Sequence, residues 1–174
     1  SEFCHQNKFE VNAQQTEIIN LLDRFLNHKE SFFSKILKNK KKQCFYLHGK
    51  VGVGKTMILN FVYDRLKIKK YRQHFNEFMI NFHNFRHKKK ENNTISAFVQ
   101  KLKKNYDLIY LDEFQVTNIV DAMILGKLFE VIFKENIKLI ITTNTKLNDL
   151  YKDGLQRDQF LPFISIIENF SIQK

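Results

Sequence analysis

Apolar residues recur along the chain at two spacings, and each spacing predicts a different secondary structure. Apolar residues that recur three and four positions apart predict helices with one apolar face. Short continuous apolar runs predict buried strands. The predicted helices cover residues 14–27, 31–39, 56–66, 77–85, 95–102, 118–134 and 162–169. The predicted strands cover residues 43–48, 71–75, 107–112, 137–143 and 170–173. Residues 86–93 are polar and are predicted to form a loop.

The predicted strands and helices alternate, which is typical of one class of fold. Strands that are apolar throughout, rather than at every second residue, are buried on both faces. Such strands separated by helices predict an α/β fold in which helices cover both faces of a parallel sheet. In the longest predicted helix, Val120, Ile124, Leu128 and Val131 lie on one face.

The composition is that of a single globular domain. The chain has 174 residues, of which 43% are hydrophobic and 27% are charged. It has no apolar run long enough to span a bilayer, and its first ten residues lack the apolar segment of a signal peptide. Cys4 and Cys44 form neither a disulfide framework nor a metal-binding spacing, so we expect a reduced, cytoplasmic location.

A net charge of +11 distinguishes the chain from an average globular protein. One interpretation is a nucleic-acid or anionic-membrane partner. The other is solvated surface charge, because the lysines occur in short runs at 38–42, 67–70 and 87–90 that contain no aromatic residue. We favour solvated charge and expect no nucleic-acid partner.

Three of the five glycines fall in one stretch, GKVGVGKT, between a predicted strand and a predicted helix. The spacing is that of a phosphate-binding loop, in which glycines let backbone N–H groups approach a triphosphate closely. Lys55 is expected to contact the β- and γ-phosphates of ATP, and the Thr56 hydroxyl is expected to bind Mg²⁺. The residues predicted to bind the nucleotide are Gly49, Lys50, Val51, Gly52, Val53, Gly54, Lys55 and Thr56.

Polar residues follow two other predicted strands at their carboxyl ends, where α/β sheets bind ligands. Asp112 and Glu113 follow four apolar residues, and Asn144 ends the next strand along the chain. We expect Asp112 to hold Mg²⁺ or its hydration shell and Glu113 to accept a proton from the attacking water. The Asn144 amide is expected to hydrogen-bond the γ-phosphate and that water, although asparagine is also favoured in turns.

Four stretches of the sequence resemble the ZapE and Afg-like ATPases, which belong to the AAA+ class of P-loop NTPases. They are LHGKVGVGKTMILNFVYD, YRQHFNEFM, LDEFQVTNIVDAMILGKLFE and NDLYKDGLQRDQFLPFI. The resemblance begins near Gln14, so it implies an ATPase core over residues 14–174 and a tail over residues 1–13. It also implies a three-layer core whose parallel strands lie in the order 5-1-4-3-2.

The resemblance assigns the same roles to the residues of the predicted site. Lys55 and Thr56 match the Walker A motif, and Asp112 and Glu113 match the Walker B motif. Asn144 matches the residue called sensor 1. The resemblance therefore implies ATP and Mg²⁺ as cofactors and ATP hydrolysis as the activity.

Arg157 lies where AAA+ proteins carry an arginine finger that acts on the nucleotide of the next subunit, which implies a homohexamer. An ion pair with Asp153 or Asp158 is the alternative role. AAA+ proteins follow this core with a helical lid, and the sequence ends without one. We therefore expect the 174-residue chain by itself to be monomeric and weakly active.

By resemblance, the function is Mg²⁺-dependent ATP hydrolysis that remodels a protein partner. In bacterial relatives this partner is the division protein FtsZ, which implies peripheral association with the division site at the inner membrane. The alternative is a nucleic-acid-associated AAA+ ATPase such as a helicase loader, which the basic charge favours. A third alternative is a binding module that works without nucleotide, should the absence of a lid be natural.

Overall fold

The computed structural model describes residues 13–27, 42–50, 54–89 and 93–174. The strands are Cys44–His48 (β1), Lys70–His74 (β2), Leu108–Asp112 (β3), Lys138–Thr143 (β4) and Ser171–Gln173 (β5). The helices are Ala13–Asn27 (α1), Lys55–Arg65 (α2), Phe75–Lys88 (α3), Thr94–Asn105 (α4), Ile119–Lys134 (α5) and Leu161–Phe170 (α6). Two short 3-10 turns span Leu147–Asp149 and Arg157–Gln159. None of the helices in these ranges has both the length and the apolar composition needed to cross a membrane.

The predicted elements agree with the structure, and the differences lie at their ends. Phe75 begins helix α3 rather than ending strand β2, and α3 continues to Lys88 through part of the predicted loop. Thr94 is the first residue of α4 rather than its cap, which is Asn93. Helix ends depend on local capping and packing, which an apolar spacing does not specify. The helix predicted over residues 31–39 lies outside the described residues.

The sheet contains all five strands in the order β2-β3-β4-β1-β5, and every neighbouring pair is parallel. This is the predicted order, 5-1-4-3-2, counted from the opposite edge. Strand β3 is buried at all its positions and β4 at all but its first, as expected for strands that are apolar throughout. Because the strands are parallel, their carboxyl ends lie together along one edge of the sheet.

The described residues divide into two compact units. One contains helices α1 and α2, in which the buried apolar residues are Leu22, Phe25, Ile58 and Leu59. The other contains residues 42–50, 67–89 and 93–174, and therefore the whole sheet. Aromatic rings form much of its core: Phe114 stacks on Phe163 with ring centroids 5.7 Å apart, and Phe163 lies 5.0 Å from Phe160.

Helix α5 packs on the core through more than the face that Val120, Ile124, Leu128 and Val131 share. Val120 is 49% exposed and Leu128 is buried, while Ile124 and Val131 are partly buried against the core. The buried residues of this helix are Asp121, Ala122, Leu125, Leu128, Phe129, Ile132 and Phe133. Apolar residues surround most of this helix, so the spacing allows more than one apolar face. Packing selects the face with Phe129, whose ring lies 5.1 Å from that of Phe163.

Candidate functional site

The carboxyl edge of the sheet gathers predicted site residues from three strands. Gly49 directly follows β1, Asp112 ends β3, and Asn144 directly follows β4. The pairing of β1 with β4 ends at His48 and Thr143, and the Gly49 N–H donates a hydrogen bond of 3.2 Å to the Thr143 carbonyl. The start of the glycine-rich stretch therefore lies beside the end of the strand that carries Asn144.

Asp112 is held from both neighbouring strands. The Arg72 guanidinium on β2 donates to Asp112 Oδ2 at 2.6 Å, and the Thr142 hydroxyl on β4 donates to Oδ1. The Glu113 N–H also donates to Oδ1, at 3.1 Å. Burial alone would raise the pKa of Asp112, but hydrogen bonds from Thr142 and Arg72, together with the charge of Arg72, outweigh burial and lower that pKa. Asp112 therefore remains a carboxylate in a fixed orientation.

Arg72 is a residue of this site that the sequence patterns do not reveal. It lies opposite Tyr110 in the pairing of β2 with β3, and its guanidinium carbon is 4.7 Å from the centre of the Tyr110 ring. From there it reaches diagonally to Asp112, two residues further along β3. Arg72 lies in YRQHFNEFM, one of the four stretches that resemble the family. That resemblance assigns no role to any residue of this stretch, and it is the sequence feature that could have pointed to Arg72.

Glu113 leaves the strand in an unusual backbone conformation. Its φ is 53°, in the left-handed region that residues other than glycine rarely adopt. Such a conformation costs on the order of 1–3 kcal/mol and is concentrated at functional sites. The side chain of Glu113 is 77% exposed, and its Oε2 lies 3.6 Å from Nδ1 of His74, the last residue of β2. The carboxylate is thus accessible to water.

The turn after β4 is held by hydrogen bonds around Asn144. The Thr143 hydroxyl donates to the Phe114 carbonyl at 2.7 Å, and the Thr145 N–H donates to the Thr143 hydroxyl at 3.2 Å. The Tyr46 hydroxyl on β1 donates to the Thr145 carbonyl at 2.9 Å. Asn144 is exposed between these fixed residues, at the same edge as Asp112.

The second half of the glycine-rich stretch belongs to the other unit. Gly54 has a φ of 82°, which favours glycine, and it caps helix α2, whose first residues are Lys55 and Thr56. A Cβ at Gly54 would also lie 3.1 Å from Nε2 of Gln15. The first N–H groups of a helix have no partner within the helix, and its dipole attracts anions. Val51, Gly52 and Val53 lie outside the described residues.

Arg157 is anchored within its own chain. Its guanidinium donates to the carbonyl of Asn148 at 2.7 Å and to that of Leu150 at 3.1 Å. In the part of the chain that the structure describes, it forms no ion pair with Asp153 or Asp158, the partners considered from the sequence. A guanidinium has five N–H bonds, so two carbonyl contacts still leave donors that face other directions.

Each of the two units carries groups of a kind that suits a magnesium nucleotide. A left-handed glycine at a helix N-terminus and Lys55 suit phosphate, because both offer N–H groups and positive potential. The Thr56 hydroxyl and the Asp112 carboxylate are oxygen donors of the kind that Mg²⁺ prefers. Asp112 already has an orientation fixed by Arg72 and Thr142, as a metal-binding carboxylate requires.

The parallel sheet and the motifs at its carboxyl edge define a P-loop NTPase. A comparison with protein families gives the particular family, because the model of the AFG1-like ATPases matches residues 5–172. The chain belongs to the AFG1-like ATPase family. The resemblance identified from the sequence is thereby confirmed.

Three known proteins illustrate the relationship. Lactation elevated protein 1 homolog B of Danio rerio is 36% identical over 157 residues, which are 83% of this chain and 31% of that protein. Cell division protein ZapE of Escherichia coli K12 is 36% identical over 125 residues, which are 71% of this chain and 33% of ZapE. The crystal structure of DnaI has the same fold, with a TM-score of 0.63 at 20% identity over 96% of this chain and 87% of DnaI. The chain thus spans about a third of the length of the curated relatives it matches.

Proposed function

We propose that the chain binds ATP with Mg²⁺ and hydrolyses it. The observation that carries the proposal is the carboxyl edge of the sheet, where Gly49, Asp112, Glu113 and Asn144 lie together and Asp112 is fixed by two neighbouring strands. ATP bound with Mg²⁺ supplies the bond to be cleaved and a cation that offsets charge on the phosphate oxygens. Family membership supports the same activity.

Each residue has a distinct part in the proposed reaction. Lys55 and the N-terminal N–H groups of α2 bind phosphate oxygens, and the Thr56 hydroxyl and Asp112 bind the cation. Glu113 accepts the proton of the attacking water, which its 77% exposed side chain can contact. Asn144 orients that water and the terminal phosphate. Arg72 does not touch the reactants; it fixes the carboxylate of Asp112.

The proposed partner is a protein that the ATPase remodels. The relative ZapE is named as a cell division protein, which supports a role in cell division and, by family resemblance, FtsZ as the partner. We propose a homohexamer, in which Arg157 acts on the nucleotide of the next subunit, for the longer protein, by which we mean this chain extended to the length of its curated relatives. The guanidinium of Arg157 uses two of its five N–H bonds on backbone carbonyls, so three N–H donors remain for a phosphate of the neighbouring subunit.

A nucleic-acid-associated role, such as helicase loading, is the second candidate for the longer protein. The likeness to DnaI is at 20% identity and establishes the fold alone, so it does not choose between the candidates. Binding of the longer protein to FtsZ, but not to a replicative helicase, in matched pull-down experiments would support the first. The opposite result would support the second.

Calorimetric titration with Mg²⁺-ADP and a slowly hydrolysed ATP analogue tests the nucleotide site on the chain itself. We expect Lys55→Ala to abolish binding, because it removes the charge on the phosphates. Lys134→Ala is the matched control, since it removes one exposed lysine from helix α5 and should bind like the wild type. Unchanged affinity in Lys55→Ala would contradict the assignment of the phosphate site.

A further inference from the structure

A cleft of about 410 Å³ lies between strand β2 and helices α3 and α4. It is lined by Tyr71 and Gln73 of β2, by residues of α3 from Phe78 to Lys88, by residues of α4 from Phe98 to Asn105, and by Tyr106. Tyr106 lies two residues before β3, at its amino-terminal end, whereas Asp112 ends the same strand. Strand β3 spans about 13 Å between Leu108 and Asp112. Gln73 lines the cleft nearer the carboxyl end of the sheet, but it lies on the face of β2 opposite to that of Arg72 and His74, so the cleft is separate from the proposed nucleotide site.

Stacked aromatic rings form one wall of the cleft. The rings of Tyr71 and Tyr106 are nearly parallel, at 17°, with centroids 4.8 Å apart, and both are partly exposed. Phe85 also lines the cleft, and the ammonium group of Lys101 lies 5.7 Å from its ring centre. Partly exposed, parallel rings beside cations are the surface on which a further planar ring can stack.

The polar groups of the cleft are amides and lysines. Asn81 and Asn84 contribute exposed carboxamides, each with both donors and acceptors. Lys88 and Lys101 contribute positive charge, and no carboxylate lines the cleft among the described residues. These amides and lysines suit a ligand whose planar rings carry hydrogen-bond donors and acceptors at their edges and whose charge is negative at several positions.

The chain segments that form the cleft are strongly basic. Residues 67–89 and 93–107 contain ten lysines and arginines, of which Arg72 is bound to Asp112 on the other face of β2, but only two carboxylates, Glu77 and Asp107. In the sequence, the lysine runs contained no aromatic residue, which favoured solvated charge. The fold changes that interpretation, because it brings Lys88 and Lys101 beside Tyr71, Tyr106 and Phe85 from three separate elements.

We propose that this cleft binds single-stranded nucleic acid, with a base stacked on the rings of Tyr71 and Tyr106 and backbone phosphates on Lys88 and Lys101. Stacking of bases on aromatic rings within a basic groove binds single strands with little sequence preference. Asn81 and Asn84 are placed to pair with the edges of a bound base. The strand would bind independently of ATP, because the cleft uses none of the proposed catalytic residues.

Fluorescence anisotropy with a labelled oligothymidylate of about 15 nucleotides tests the proposal on the 174-residue chain without nucleotide. We expect binding that weakens steeply as NaCl rises from about 50 to 200 mM. In the double variant Lys88→Ala/Lys101→Ala, the slope of log affinity against log salt should fall by about 1.4, since each lost phosphate contact on a single strand contributes about 0.7. The double variant Lys127→Ala/Lys134→Ala changes the charge equally on helix α5 and should keep the wild-type slope.

The contribution of the rings is tested with a matched pair of variants. Tyr106→Leu should weaken binding about tenfold, because it removes a stacking face, whereas Tyr106→Phe keeps the ring and should bind like the wild type. Thermal unfolding followed by circular dichroism identifies any variant that does not fold. If Tyr106→Leu does not fold, the salt dependence of Lys88→Ala/Lys101→Ala tests the proposal instead.

Three results would overturn the proposal. One is no change in anisotropy with the wild type at low salt. A second is an equal loss of affinity in the cleft lysine variant and the α5 control, since binding would then depend on net charge alone. The third is displacement of the oligonucleotide by polyglutamate at equal charge concentration, which would identify the cleft as a site for acidic peptides.

Discussion

Strand β2 supplies two different environments from its two faces. Successive side chains of a strand point to opposite faces, so Arg72 and His74 share one face and Tyr71 and Gln73 share the other. The first pair contacts the carboxylates of Asp112 and Glu113, with the Arg72 contact as short as 2.6 Å. The second pair lines the basic cleft, where the Tyr71 hydroxyl donates to Gln73 Oε1 at 2.7 Å.

The two faces differ in what they demand of their residues. On the catalytic face, geometry is fixed by charged hydrogen bonds to a mostly buried carboxylate, and loss of one partner leaves that carboxylate poorly satisfied. On the cleft face, partly exposed rings and amides offer a surface that any base could use. Substitutions on the first face should therefore change catalysis and stability, and those on the second should change only binding of the proposed strand.

The largest effect is expected at Glu113. We expect Glu113→Gln to reduce ATP turnover by about 10²–10⁴-fold while nucleotide affinity is retained, because glutamine keeps the size of the side chain but cannot accept the proton. Steady-state hydrolysis is measured on the longer protein, and calorimetry reports binding. Binding of oligothymidylate should be unchanged in the same variant. Full turnover with glutamine at position 113 would exclude Glu113 as the base.

Arg157 should have the next largest effect, and only in an assembled ring. Arg157→Ala should reduce turnover by roughly 10³-fold in the longer protein without changing nucleotide affinity of the monomer. Mixing Arg157→Ala with Lys55→Ala subunits should restore activity, because an intact finger then meets an intact pocket at some interfaces. Verified mixed rings with no recovery would leave Arg157 in a structural role, bound to the carbonyls of Asn148 and Leu150.

The sequence predicted the elements and their order because those follow from strong local patterns. Strands such as Leu108–Asp112 are continuously apolar, and the glycine-rich stretch has a spacing that few other structures require. The resemblance supplied the strand order. Asp112, Glu113 and Asn144 were predicted because residues at the ends of parallel strands necessarily meet at one edge.

The parts that the sequence did not predict depend on pairing between distant segments. Arg72 lies 40 residues before Asp112, and only the register of β2 against β3 shows that the two meet. The cleft likewise requires Lys88, Lys101 and Tyr106 to converge from separate elements. The buried face of α5 has a related cause, since long-range aromatic packing, rather than spacing within the helix, decides which residues are buried.

A smaller effect is expected at Arg72. We expect Arg72→Ala to lower the free energy of unfolding by about 1–3 kcal/mol, because Asp112 then loses a charged partner while remaining mostly buried. Urea denaturation followed by circular dichroism measures this change. In an Asp112→Asn background, Arg72→Ala should lower the free energy of unfolding by clearly less, and a double-mutant cycle measures this difference. Equal costs in both backgrounds would show that Arg72 acts through packing on Tyr110 instead.

The smallest effect is expected when the cleft is altered and the catalytic edge is measured. Lys88→Ala/Lys101→Ala should change the affinity for Mg²⁺-ADP by less than about twofold at physiological salt, where charges further apart than about 8 Å are largely screened. Tyr106, which lines the cleft, and Asp112 lie at opposite ends of β3, and the strand itself spans about 13 Å. Repeating the calorimetry at about 10 mM salt tests whether the two sites are independent or only screened from each other, since the screening length then rises to about 30 Å.

A modest loss of Mg²⁺-ADP affinity that occurs only at low salt would reflect the removal of two positive charges, and Lys127→Ala/Lys134→Ala should reproduce it. A large loss at physiological salt in the cleft variant, but not in that control, would show that the two faces of β2 are coupled and that the cleft belongs to the nucleotide site.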